Sequence, residues 1–318
     1  MQMRQLGRSP LKIAPLMLGA NVFGWTADEA TSFRILDAFV DAGFNAIDTA
    51  DVYAAWSPAG AGSSETVIGK WFKASGKRDQ VILATKVGME MAPGRKGLSA
   101  TYIAQAVEDS LRRLQTDHID LYQSHRDDPD TPLEETASAW ARLVEQGKVR
   151  VIGASNFTSA RLLAANDAAA KNGWPRYETL QPHYNLYERE GFEAELAKVC
   201  ADETISVIPY YGLASGFLTG KYRSLDDLTK SPRGGGVKKF LNARGFAILQ
   251  ALDRAAEALN ATPAQVALAW LMAKITAPIA SATNVGQVQD LMKAVSLRLD
   301  PAVLADLDAA SAPSLIPA

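Results

Sequence analysis

Between Leu16 and Ser281 the chain repeats one pattern: a short β-rich run, then a longer stretch whose apolar residues recur at spacings of three and four. Eight such runs can be read: Leu16–Gly19, Ala46–Asp48, Val81–Lys86, Ile119–Ser124, Val149–Ser155, Thr179–Pro182, Ser206–Pro209 and Pro278–Ser281. None is joined to the next by a two-residue hairpin turn, which predicts parallel neighbours with right-handed crossovers. Eight is also the number of strands that closes a parallel sheet on itself, so the expected fold is an α/β one, a (β/α)8 barrel. A length of 318 residues would accommodate two domains. The alternation runs without a linker or a low-complexity tract, and predicts a single domain over residues 1–318.

Local signals agree with this parse. Ile103, Val107, Leu111 and Leu114 form one apolar stripe, with Asp109, Arg112 and Arg113 expected on the solvent side. Thr131, Pro132 and Glu134 read as a helix start with a capping box, and Thr262, Pro263 and Gln265 repeat it. The segment Arg4–Pro15, with a turn at Gly7–Leu11, suits a hairpin capping the barrel floor. After the seventh run comes a long insertion, Tyr211–Arg244, rich in glycine and basic residues; loops of that length tend to be functional or disordered.

Composition narrows the function. With 33 Lys+Arg against 35 Asp+Glu the net charge is −2, too little to concentrate the chain on nucleic acid or anionic lipid. Only Lys230–Arg244 is locally basic. The one cysteine, Cys200, can make no internal disulfide and has no metal-ligand spacing, so it reads as a small apolar helix residue and no metal is expected. Arg4, Arg8, Pro10, Lys12 and Pro15 interrupt the N-terminus, which offers neither a signal peptide nor a membrane span. A cytoplasmic protein acting on a small molecule is expected, with no nucleic-acid or membrane partner; its oligomeric state is not encoded legibly.

Chemistry in a parallel barrel collects at the carboxyl ends of the strands. There the chain offers Asp48 and Tyr53 after the second strand, Lys86 on the third and His125 after the fourth. Such a set can make a proton donor for a carbonyl oxygen. A phenol titrates near 10, and an adjacent ammonium is expected to lower it toward neutrality. Lys86 would do this to Tyr53, Asp48 would keep Lys86 protonated, and His125 would orient the substrate oxygen. A hydride would have to come from a cofactor, because no side chain supplies one. Lys86 alone could instead form a Schiff base, as in an aldolase. Asp51 and Asp127 read as loop acids. Gly60–Glu65 reads as a flexible rim rather than a dinucleotide fingerprint, and Ser215–Lys221 is too short for a phosphate-binding P-loop. The run Lys230, Arg233, Lys238, Lys239 and Arg244 reads as a solvated loop, mobile at Gly234–Gly236, with Arg233 the member best suited to reach a phosphate.

Four motifs carry a resemblance: Gly43-Phe44-Asn45-Ala46-Ile47-Asp48-Thr49-Ala50-Asp51-Val52-Tyr53, Ile119-Asp120-Leu121-Tyr122-Gln123-Ser124-His125, Gly153-Ala154-Ser155-Asn156-Phe157 and Gly216-Phe217-Leu218-Thr219-Gly220-Lys221-Tyr222. With Arg4–Gly7, Leu18–Gly24 and Asn284–Gln287, they make the chain resemble the aldo-keto reductases over nearly its whole length. The resemblance implies a TIM barrel that reduces carbonyl groups with a nicotinamide dinucleotide, with Tyr53 as acid, Lys86 and Asp48 tuning it, and His125 in the carbonyl pocket. It implies a cofactor site of Ala20, Ser155, Asn156, Gln181, Tyr210, Leu213, Ser215, Lys221, Arg233, Ser281, Thr283, Asn284 and Gln287. Within that set Ser155, Asn156 and Gln181 would hold the carboxamide, Tyr210 would stack on the nicotinamide, and Leu213, Ser215 and Lys221 would lie along the pyrophosphate. Substrate walls would be Asn21, Phe23, Trp25 and Trp56. The Lys and Arg that many members place on the 2′-phosphate correspond here to Ser281 and Gln287, so NADP(H) is expected and NAD(H) stays possible. The same fold also serves as a non-catalytic, cofactor-retaining channel subunit, which leaves a regulatory role as an alternative.

Overall fold

In the computed structural model of the chain, residues 1–232 and 234–313 are described. Strands β1 (Arg4–Gln5) and β2 (Lys12–Ile13) pair antiparallel as the expected hairpin. Eight barrel strands follow: β3 (Met17–Gly19), β4 (Ala46–Asp48), β5 (Ile82–Val87), β6 (Ile119–Ser124), β7 (Val149–Ser155), β8 (Tyr177–Gln181), β9 (Ser206–Val207) and β10 (Ile279–Ala280). They pair in parallel in the order β10-β3-β4-β5-β6-β7-β8-β9. The ring closes where the amides of Thr276 and Ile279 donate to the carbonyls of Val207 and Pro209, each at 3.0 Å.

Helices α1 (Glu29–Asp41), α2 (Ser63–Ser75), α3 (Ala100–Leu114), α4 (Leu133–Glu145) and α5 (Ser159–Lys171) cross between successive strands from β3 to β8. Helices α6 (Glu190–Glu193) and α7 (Leu196–Asp202) link β8 to β9, and α8 (Ala243–Leu259) and α9 (Pro263–Lys274) link β9 to β10. Helices α10 (Val285–Lys293) and α11 (Pro301–Ala310) follow. Among the described residues no helix is long and apolar enough to cross a membrane.

Strand alternation separates two apolar layers. Outward residues such as Leu18, Ile47, Leu83, Tyr122, Ile152 and Leu180 pack against the helices, while Met17, Ala46, Ala84, Leu121, Val151 and Ile208 fill the lower barrel. Leu6, Leu11 and Ile13 of the hairpin plug that inner layer from below. The plug is held by Arg4, whose guanidinium donates to the Ile275 and Thr276 carbonyls at 2.7 and 2.9 Å, and by the Gly7 amide on Ser206 Oγ at 2.8 Å. Two residues further along β4, β5 and β6 the inward face turns polar: Asp48 after Ala46, Lys86 after Ala84, Gln123 after Leu121. A period of two therefore stacks a polar layer on an apolar one.

Three local expectations need correction. Thr131 does not cap α4: its hydroxyl donates to Asp128 at 2.7 Å, and Pro132 itself stands at the cap position without a side-chain bond. The capping box at Thr262 and Gln265 does form. Arg113 does not face water but turns inward to Glu65 at 2.7 Å. The insertion after β9 winds through three 3-10 turns, Ala214–Thr219, Asp226–Lys230 and Gly234–Phe240, and is anchored by buried Val237 and Phe240. A Cβ on Gly234 would lie 1.8 Å from the Leu228 carbonyl oxygen, so this glycine is a packing contact.

Candidate active site

At the carboxyl end of the barrel lies a cleft of about 1430 Å³. The ends of β4 and β5 converge there. Lys86 is wholly buried, and its ammonium donates to Asp48 Oδ2 at 2.8 Å, to the Thr49 carbonyl at 2.7 Å and to Tyr53 Oη at 2.9 Å. An ammonium has three N–H donors, so this one is saturated. Tyr53 Oη also lies 3.3 Å from Asp48 Oδ2, and its ring faces His125 edge-on at 6.1 Å. The remaining Asp48 oxygen accepts from Gln181 Nε2 at 2.8 Å. The four residues anticipated from the strand ends are thus brought together.

The electrostatics differ from the expectation at one point. Loss of hydration, then the Asp48 charge, push the Tyr53 phenol well above its ordinary value rather than toward neutrality. Burial is the larger cause, and because Lys86 is already paired with Asp48 in a net-neutral unit, ionising the phenol would add an excess buried negative charge. Burial lowers Lys86 below its ordinary value, against the opposing pull of Asp48. Burial, then Lys86 and Arg126, hold His125 well below its ordinary 6.5, so its imidazole is neutral.

Asp51 is not a solvated loop acid. It is 1% exposed and neither carboxyl oxygen makes a well-formed hydrogen bond; burial, then Glu65, raise it well above the carboxylate range. Asp127 is a structural loop acid, gripped by Arg161 at 2.7 and 2.8 Å. The Gly60–Glu65 stretch is a rim only in its first half: Ser64 and Glu65 are buried in the first turn of α2, with Glu65 bonded to Thr85 at 2.6 Å.

Of the remaining anticipated residues, Asn21, Trp25, Trp56, Ser155, Asn156, Gln181, Tyr210, Leu213, Ser215, Lys221, Ser281, Thr283 and Gln287 all line the cleft. Asn156 has a left-handed backbone (φ 56°); its amide donates to the His125 carbonyl at 2.9 Å and accepts from Tyr210 Oη at 2.9 Å. Ser155 Oγ donates to the Gln181 carbonyl at 2.8 Å. Ser281 Oγ donates to Asn21 Oδ1 at 2.5 Å. Asn284 caps α10 through the Gln287 amide at 2.9 Å and does not line the cleft. Phe23 is fully buried in the outer core and walls nothing; Ala20 is also buried, its carbonyl accepting from Ser64 Oγ at 2.8 Å. Arg233 lies outside the described residues. The reading of the sequence missed Tyr211, Thr26, Thr262 and Asp290, which also line the cleft. Tyr211 follows Tyr210 in a loop, and no period or motif marks it.

Comparison with known proteins gives the family of the chain. The model of the Aldo/keto reductase family matches residues 15–312. Over 313 residues the chain is 37% identical to the uncharacterized oxidoreductase YrpG of Bacillus subtilis (strain 168), covering 96% of this chain and 94% of that protein. It is 36% identical over 290 residues to the aldo-keto reductase YhdN of the same organism, covering 86% and 81%. It is 33% identical over 300 residues to the aldo-keto reductase yakc of Schizosaccharomyces pombe, whose name carries NADP(+), covering 90% and 84%. On the extent of these matches, the chain belongs to the aldo/keto reductase family of oxidoreductases.

Proposed function

We propose that the chain is a single-domain cytoplasmic enzyme that reduces aldehydes or ketones, or oxidises the matching alcohols, using a nicotinamide dinucleotide and Tyr53 as acid and base. The observation that carries this reading is the 2.9 Å contact between Lys86 Nζ and Tyr53 Oη at the floor of the cleft. Lys86 donates to the phenol oxygen, and the phenol's own proton rests on Asp48 Oδ2 through a long 3.3 Å bond, which a carbonyl oxygen in the cleft would replace. The raised pKa keeps that proton in place at neutral pH. Neutral His125 supplies a hydrogen bond to the same carbonyl oxygen and fixes its approach. Trp25, Trp56 and Asn21 line the substrate end.

The residues fit the cofactor. A small ligand needs roughly 300–1000 Å³, and this cleft is larger. Ala214, Ser215 and Gly216 have consecutive positive φ angles of 48°, 57° and 95°; the Ala214 and Gly216 amides are taken by the Tyr211 and Leu213 carbonyls at 2.7 and 2.9 Å, so the groups offered to an anion are Ser215 and Lys221, both lining the cleft, with Lys221 Nζ 3.7 Å from where a Cβ on Gly216 would lie. We assign this segment, with Leu213, to the pyrophosphate. Gln181 gives its amide nitrogen to Asp48, leaving its oxygen as acceptor for a carboxamide; Ser155 and Asn156 flank it, and Tyr210, stacked on His183 at 5.2 Å, would stack on the nicotinamide. Ser281, Thr283 and Gln287 are assigned to the adenosine end. Bound there, the reduced nicotinamide would supply the hydride. NADP(H) is the first assignment, supported by one relative's name; neutral side chains at 281 and 287 leave NAD(H) as the second.

A Schiff base on Lys86 is disfavoured, since its ammonium is saturated and unexposed. The test is NADPH and NADH oxidation with 4-nitrobenzaldehyde, alongside both binding affinities. Turnover supports the reading. Tight binding without turnover across a panel of sugars, steroids and aromatic aldehydes would replace it with a cofactor-binding regulatory role.

A further inference from the structure

Arg126 follows His125 at the end of β6, is exposed, and lines the cleft beside the proposed reacting groups. The two carboxylates that follow it in sequence are committed elsewhere: Asp127 to Arg161 at 2.7 and 2.8 Å, and Asp128 to the Leu98 amide and the Thr131 hydroxyl, both at 2.7 Å. No ion pair reaches Arg126 among the described residues.

The same cleft has an aromatic wall. Trp25 and Trp56 meet edge to face at 5.9 Å, and Trp56 lies 6.1 Å from the Tyr53 ring while 52% exposed. A flat apolar body would be held by these rings with its carbonyl at Tyr53. A guanidinium presents paired N–H donors that match a carboxylate bidentately. A neutral substrate would leave it solvated and idle.

We infer that the substrate class is carbonyl compounds bearing a carboxylate on a flat apolar frame, with Arg126 as the residue that selects for the anion. The inference rests on the carbonyl-reductase reading above. The balance is that of a simple reduction: the carbonyl carbon gains a hydride from the nicotinamide, the oxygen gains the Tyr53 proton, and the carboxylate is unchanged.

The probes are 3- and 4-carboxybenzaldehyde and their methyl esters, which keep the frame and remove the charge. The readout is the ratio of kcat/KM for acid over ester. In the wild type this ratio exceeds unity for at least one isomer by about tenfold, expressed in KM, and falls with added salt. In Arg126→Gln it collapses, in Arg126→Glu it inverts, and Arg126→Lys keeps part of it. Ester turnover with a ratio at or below unity for both isomers overturns the inference and leaves the reductase reading standing. So does a ratio that Arg126→Gln does not move. Absence of turnover for every acid and ester while 4-nitrobenzaldehyde is reduced overturns the inference alone; absence for all of them, 4-nitrobenzaldehyde included, overturns both.

Discussion

The Lys86 ammonium lies 2.9 Å from the Tyr53 hydroxyl while its other two donors hold Asp48 and the Thr49 carbonyl. The lysine therefore acts less as an acidifier than as an orienting donor. It occupies the phenol's acceptor side, while the phenol's proton is held on Asp48 Oδ2 only by a long 3.3 Å bond.

This arrangement predicts the pH profile of reduction. Tyr53 is raised above 10 and Lys86 is lowered below 10.5, so on raising pH the ammonium loses its proton before the phenol does. His125, lowered below 6.5, stays neutral through the usual imidazole range. Reductive kcat/KM should run flat from mildly acidic to mildly alkaline pH, then fall on a limb set by Lys86. Asp48→Asn removes the charge that keeps Lys86 protonated, and moves that limb to lower pH. A phenol-like limb near pH 7 in the wild type would contradict this.

A second prediction concerns Asp51. In the native state its carboxyl is raised well above 3.8, so the folded protein holds that proton more tightly than the unfolded chain does. The associated stability is fully present below the unfolded value and is lost as pH rises through the native one. Asp51→Asn removes this dependence. Measured by urea midpoints, the variant should gain on the wild type as pH goes from about 4 toward neutrality. A variant-minus-wild-type difference that stays constant or falls over that range would refute the assignment of a buried acid.

Gly69 gives a prediction of inverted sign. In mid-helix, alanine is normally better than glycine by about 1 kcal/mol. Here a Cβ would lie 2.1 Å from the Arg113 carbonyl oxygen and 2.7 Å from the Leu114 carbonyl carbon, both backbone atoms of α3. Gly69→Ala should destabilise by roughly 1–3 kcal/mol or more, read as a lower urea midpoint.

Much of this was legible in the sequence, because two periods do the work. The period of two put Asp48 and Lys86 directly above the apolar floor of Ala46 and Ala84, and the three-and-four spacing marked α3. What escaped was set by tertiary contacts. Arg113 sits on the polar side of its helix yet reaches Glu65, a residue of a different crossover. Phe23 follows the first barrel strand like a pocket wall, but its bridge to Ala27 turns it into the core. Asp51 carries no mark that separates it from a loop acid. The direction of the Tyr53 shift depended first on how completely the phenol is buried, which a strand-end list does not state.

The most direct test is Tyr53→Phe, which removes one oxygen and leaves the ring. The account predicts that reduction of 4-nitrobenzaldehyde falls by about 10²-fold or more while the affinity for reduced dinucleotide is retained. A variant that turns over near the wild-type rate would contradict it.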